Sequence, residues 1–176
     1  MDIGLLILRL AVGLVLAAHG SQKLFGWFGG YGIAGTGGFL ESIGFRPGKV
    51  MAVISGLGET AGGLGLALGV LTPLSAALVI ATMLVASSVH IRNGLFNTKQ
   101  GYEYNLVLVA AALALAFVGP GRISFDAAIG LPLAGGMWGA IAIGLSILGA
   151  LPPLASRTMP KAAVNTASAR PIGLPG

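Results

Sequence analysis

Ile3-Gly-Leu-Leu-Ile-Leu-Arg9-Leu-Ala-Val-Gly13-Leu-Val-Leu-Ala-Ala-His19-Gly20-Ser-Gln-Lys23-Leu24 is an apolar run with an arginine inside it and a histidine and a lysine near its end. A helix needs about 20 such residues to cross the hydrocarbon core of a bilayer. An ionised group there costs roughly 2.5–3.5 kcal/mol on insertion scales, so it persists only with a partner or a water-filled cavity. The same anomaly recurs downstream. Glu59 lies within the apolar run Val50–Leu71, His90 ends the run that starts at Leu74, and Glu103 opens the next one. The chain has five acidic residues, and two of them sit in this way. The charges, more than the hydrophobicity, point toward function.

Composition agrees with a membrane class. The chain is 55% hydrophobic and 9% charged, whereas soluble domains carry about 25% charged residues. Its mean hydropathy is +0.91. Too little polar surface is left to coat a soluble core, and 176 residues suffice for one bundle of four or five spans. The net charge of +5 does not mark a nucleic-acid binder, because the Lys and Arg residues are scattered singly with no basic run or aromatic-interleaved basic face. With no cysteine, the chain has no disulfide, thiolate metal site or thiol couple of its own. The N-terminus does not read as a cleavable signal, since it lacks a basic n-region and Arg9 interrupts the would-be h-region.

The expected architecture is an all-α integral membrane fold, a four-helix transmembrane bundle core with a fifth transmembrane helix. The first span is Ile3–Leu24. A glycine-rich connection, Gly26–Lys49, holds a turn or two of interfacial helix between Thr36 as cap and Gly44 as stop. Pro47 breaks the chain before the second span, Val50–Leu71. Thr72-Pro73 starts the third, Leu74–His90. The loop Ile91–Gly101 leads to the fourth, Glu103–Val118, which Gly119-Pro120-Gly121 stops. A short amphipathic piece follows at Ile123–Ile129. Leu133–Leu151, ended by Pro152-Pro153, is the fifth span, and the chain from 154 to 176 reads as a flexible tail. The units are therefore a bundle over 1–127, an added span over 128–153, and the tail.

Five spans place Lys23, Arg46, Lys49, Arg92, Lys99, Arg157, Lys161 and Arg170 on the face opposite the N-terminus, here called the far face. Only Arg122, and Arg9 if it is counted, belong to the N-terminal face. By the positive-inside rule the far face is cytoplasmic, with the N-terminus out and the C-terminus in.

Several ionisable residues form a constellation. His19 and Lys23 are four apart and share a helix face, with Arg9 within about 40° of it. Gly13, Ala17 and Gly20 make a nearby small-residue seam against which another helix can pack. Counting 1.5 Å per residue puts Arg9 roughly 22 Å below Leu24 and Glu59 roughly 13 Å below Val50, a difference that two extended side chains can bridge. An Arg9–Glu59 interaction is expected, either as a register-fixing buried pair or as part of a pocket. Glu59 lies among Gly56, Gly58, Gly62, Gly63 and Gly65, which suit close helix packing or space for a planar ligand. His90 and Glu103, with Tyr102, Tyr104 and Asn105, fall at the same far-face mouth. Glu103 also suits the positive end of the fourth helix, which is an ordinary structural use. Together these groups suit handling of protons or of an anion.

Other chemistries fit less well. No two of His19, His90, Glu59 and Glu103 have tight metal-ligand spacing, and Lys23 would repel a cation, so no metal is expected. Gly30-Tyr-Gly32-Ile-Ala-Gly35 matches a nucleotide-binding glycine pattern but follows no strand. It reads as a flexible loop.

The chain resembles the DoxX family. The resemblance rests on Leu8-Arg9-Leu10, Gly13, His19-Gly20-Ser-Gln-Lys23-Leu24, Gly58-Glu59, and Gly62-Gly63-Leu64 with Gly69. It also rests on His90, Gly101-Tyr-Glu103-Tyr-Asn105, and Gly119-Pro-Gly121-Arg-Ile-Ser124-Phe-Asp126, spanning roughly residues 5–127. It implies a compact four-helix membrane bundle linked to oxidoreductase systems and facing quinone, with reduced sulfur or thiol compounds as donors. Soluble redox enzymes are implied as partners on the cytoplasmic side. On that basis His19, Glu59, His90 and Glu103 are the expected proton-exchanging catalytic groups. Arg9, Lys23, Tyr102 and Asn105 are expected to bind substrate or quinone, which would enter between the first and second spans, and Asp126 is expected to be structural. Two other readings remain open, a non-catalytic anchor that recruits soluble redox enzymes and a small-solute carrier.

Overall fold

The structure, a computed structural model, describes residues 1–158. Most of the expected tail, including Lys161 and Arg170, lies outside the described residues. The elements are α1 (Asp2–Phe25), α2 (Gly32–Ser42), α3 (Gly48–Leu68), α4 (Thr72–His90), α5 (Glu103–Val118), α6 (Phe125–Ala128) and α7 (Gly136–Ala155). Helices α1, α3, α4 and α7 are long and apolar enough to cross a membrane, while α5 is a shorter apolar helix. The chain passes up and down, so that α1, α4 and α7 end on the far face, where α3 and α5 begin.

The helix ends follow from local chemistry. Gly26 closes α1 and Gly69 closes α3, both in the left-handed conformation that glycine adopts without a Cβ penalty. Pro73 stands in the first turn of α4, where its missing N–H removes nothing. Ser124 caps α6, its hydroxyl accepting from the Ala127 amide. α2 is longer than the one or two turns expected, because its glycines are packing devices. A Cβ on Gly37 would lie 2.9 Å from Lys49 Cα, so only glycine lets α2 rest on the start of α3. The Gly30–Gly35 segment is accordingly no flexible loop: it runs through the start of α2.

α1 and α3 are the closest antiparallel pair. A Cβ on Gly13 would meet the Ala67 amide nitrogen at 2.7 Å, and one on Gly20 the Gly56 carbonyl at 2.6 Å. Within a bilayer, such backbone proximity supplies dispersion contacts that the hydrophobic effect cannot, since lipid tails are as apolar as leucine. This closed seam corrects the expectation of ligand entry between the first two spans.

Inside, Leu16, Leu66, Val79, Ile80, Met83, Leu108 and Leu115 pack into one core. Outward, Ile7, Leu14, Leu57, Leu64, Val107 and Leu148 are exposed, as befits a surface in contact with lipid. α7 is not an appendage to the bundle. It packs along α4, and Ala142 belongs to the common core. It also continues through Pro152 and Pro153 to Ala155 instead of ending there. Beyond it, the Arg157 guanidinium donates to Ile43 O at 3.2 Å and Ser88 O at 2.9 Å and lies over the Phe45 ring. Residues 155–158, expected to begin the tail, are thereby fastened to the far face.

Candidate functional site

The expected Arg9–Glu59 interaction does not form. Arg9 is 1% exposed, and its guanidinium donates to Pro120 O at 2.5 Å and Ile123 O at 2.6 Å, in the loop between α5 and α6. These contacts lie on the N-terminal face. Asp126 works beside it, accepting from the Leu71 amide at 2.7 Å, the Thr72 amide at 2.9 Å and the Thr72 hydroxyl at 2.8 Å. Its carboxylate thus occupies the positive end of α4.

The reason is register together with side-chain direction. Gly13 faces Gly63 and Gly20 faces Gly56, so Glu59 is level with about Ala17 and Arg9 with about Ala67. That puts the two charges roughly 12 Å apart along the axis at 1.5 Å per residue. Cα–Cβ bonds tilt toward a helix N-terminus. Arg9 therefore leans toward the N-terminal face and Glu59 toward the far face, away from each other. By the same geometry, Lys23 leans inward and meets Glu59.

The ion pair at the heart of the far face is Lys23 Nζ to Glu59 Oε1, at 2.5 Å. The Lys23 side chain is 27% exposed and that of Glu59 only 4%. Glu59 Oε2 is buried and has no hydrogen-bond partner among the described residues, and neither does the neighbouring Thr60 hydroxyl. A carboxylate oxygen without a donor at membrane depth is costly, and such groups concentrate where a ligand, water or proton is handled.

Lys23 also lines a cavity of about 240 Å³ between α2 and the far-face ends of α3 and α4, whose lining includes Thr36, Phe39, Ser55, Thr82 and His90. Lys23 thus stands between the cavity and the buried carboxylate. The His90 Nδ1 lies 2.8 Å from Gln100 O. A carbonyl only accepts, so Nδ1 carries the proton and Nε2 is left to exchange one. The Ser55 and Thr82 hydroxyls are committed to the carbonyls of Ala52 and Leu78. The polar chemistry of the cavity therefore falls to Lys23, His90 and the Thr36 hydroxyl.

The remaining expected site residues share the far face but not this cavity. His19 is exposed on α1, its ring 6.0 Å from that of Tyr104 on α5. The Glu103 carboxylate accepts from the Asn97 amide at 2.9 Å and so holds the α4–α5 loop. Tyr102 joins that loop through its backbone, and Asn105 is buried in the first turn of α5. Ser55, Thr82 and the shelter of α2 were not anticipated. The matching seven-residue spacing of Gly13–Gly20 and Gly56–Gly63 is the signal that could have set the register and paired Lys23 with Glu59.

These features define a multi-pass helical membrane protein with a buried ion pair beside a cavity at one end of its bundle. The model of the DoxX family matches residues 4–91, from α1 through α4 into the following turn, and the chain belongs to that family. Neither a curated protein nor a solved structure matches the chain. The Lys23–Glu59 pair and His90 all lie within the matched region; Asp126 lies beyond it.

Proposed function

We propose that this chain is the membrane subunit of a quinone-linked oxidoreductase system that draws on reduced sulfur or thiol compounds, with its far face in the cytoplasm. One observation carries the reading: the unpartnered Glu59 Oε2, joined through Lys23 to a cavity that also presents His90. Families of this kind are associated with oxidoreductase systems, and the chain has no cysteine to form a thiol couple of its own.

A quinone fits these residues, because its head group is an uncharged acceptor of hydrogen bonds and Lys23 is a donor at the cavity wall. When bound, it supplies a two-electron, two-proton acceptor, the electrons coming from the donor or from a partner enzyme. Lys23 orients a head-group oxygen and stabilises negative charge on it. Glu59 anchors the Lys23 ammonium through Oε1 and leaves Oε2 as an open acceptor behind it. His90 exchanges protons through Nε2, on the side toward the aqueous loops. The exposed Arg46, Lys49, Arg92 and Lys99 support the far face as the cytoplasmic one.

The test is quinone reduction by membranes holding equal amounts of wild-type protein, Lys23→Met and His90→Ala. Loss in both variants is expected, and full activity in both sinks the reading. A scaffold that recruits soluble redox enzymes is the second reading. It is favoured by those exposed basic residues, none of which is in an ion pair among the described residues. Undiminished co-purification of soluble enzymes after all four are changed to Ser would exclude it.

A further inference from the structure

A second hollow adjoins the cavity. A groove of about 130 Å³ is floored by α4 at Leu78 and Ala81, walled by α3 at Ile54 and Gly58 and by α7 at Gly149, and roofed by Phe45. Phe45, Leu40, Ser55, Thr82 and Val85 line both hollows, so the groove and the cavity adjoin along these side chains. Ser55 and Thr82 keep their hydroxyls on backbone carbonyls and present the groove with carbon. Leu78 is 38% exposed and Ile54 48%, which opens the groove on the lipid-facing surface of the bundle. Above it, Arg157 pins the end of α7 to Ile43 and Ser88 and lies over Phe45. The path thus runs from lipid, through an apolar groove, to one ammonium and one imidazole. This is the shape and polarity of an amphiphile with a hydrocarbon chain and a small polar head.

Resting on the quinone-linked reading above, we infer that the isoprenoid chain of the quinone lies in the α3–α4–α7 groove, with its head under α2 against Lys23 and His90. The ligand enters from the bilayer across α4, because glycine contacts seal the α1–α3 seam. α7 is then part of the binding site and not merely an added span. A chain moving from lipid into the groove gains packing and not hydrophobic energy, so its contribution comes from shape.

The experiment measures binding of 1,4-naphthoquinones with no, one, two and four isoprene units to the full chain in phosphatidylglycerol–phosphatidylcholine nanodiscs. Affinities are referred to the quinone concentration in the membrane. Ala81→Phe fills the groove floor, and Leu78→Trp blocks its mouth in case the first variant does not fold. Binding is expected to tighten from zero to two units. Either variant is expected to weaken the two-unit quinone about tenfold, 1.4 kcal/mol at room temperature, while leaving the chainless quinone unaffected. Equal affinity for all chain lengths, or equal loss for chained and chainless quinones in both variants, overturns the groove assignment while leaving the quinone reading intact. Phosphatidylglycerol retained by wild type and lost from Ala81→Phe, with quinone affinity unchanged, overturns it in favour of a lipid site. Absence of binding by every quinone refutes the functional reading itself.

Discussion

The two ends of this bundle handle buried charge in opposite ways. On the N-terminal face, Arg9 is used on carbonyls of the α5–α6 loop, and Asp126 on two amides and a hydroxyl at the start of α4. Apart from Arg9 Nε, their polar atoms serve backbone that would otherwise go unsatisfied in a low-dielectric setting. On the far face, Lys23 and Glu59 serve each other, a carboxylate oxygen is left over, and a cavity adjoins them. Burial alone therefore does not mark a functional charge in a membrane protein. Unused hydrogen-bonding capacity beside open space is what sets the far-face pair apart.

The largest expected effect breaks the N-terminal end. Arg9→Met orphans two carbonyls and should cost about 2–5 kcal/mol of stability. Asp126→Asn, which turns one acceptor into a donor facing an amide, should cost about 1–3 kcal/mol. Reversible unfolding of purified protein in mixed micelles reads both. Either variant at wild-type stability but without quinone reduction would move chemistry to that face and dissolve the contrast.

Within the far face the two partners should behave unequally. Lys23→Met leaves a buried carboxylate alone and should cost about 3–5 kcal/mol, as other broken buried pairs do. Glu59→Gln should cost under about 1 kcal/mol, because Lys23 is partly exposed and its ammonium can snorkel to the interface. Each should lower quinone turnover at least about hundredfold if proton exchange runs through the pair. The double variant should regain stability without regaining turnover, and recovery of both would make the pair structural like its counterpart at the other end.

The smallest effects are expected where far-face residues lie outside the cavity. Glu103→Ala loses one exposed loop contact, worth about 0.5–1 kcal/mol, as side-chain caps are. It should leave turnover within a factor of about two, and His19→Ala should do the same, since uninvolved surface positions have little effect. A large loss of turnover in either, at full stability, would extend the site across α1 to α5.

Much of the fold was legible from residue patterns. Apolar runs, with glycine or proline at their ends, placed all five long helices to within a few residues. The short α6 was visible after the Gly119-Pro120-Gly121 stop. The length of α2 was not, because its glycines read as loop signals until α3 is placed against them. The continuation of α7 through Pro152 and Pro153 was hidden for a similar reason: proline reads as a stop when its neighbours are unknown. Among the site residues, the grouping of Lys23, Glu59 and His90 at one face could be counted from helix lengths, but the partner of each could not. Counting depth from helix ends made Arg9 and Glu59 look bridgeable. α1 and α3 are instead aligned by their glycines, and the tilt of the side chains carries Arg9 the other way.

The residue pattern by itself determined that this is a membrane bundle, where its apolar helices lie, and that a handful of charges at helix ends and interiors needed partners. Hydropathy and chain length are local properties, and each span must satisfy the bilayer alone. Tertiary structure alone decided which charge met which, that the α1–α3 seam is shut, and that α7 walls a groove open to lipid. Those outcomes depend on interhelical register and side-chain direction, which are set by close glycine contacts between segments far apart in the chain.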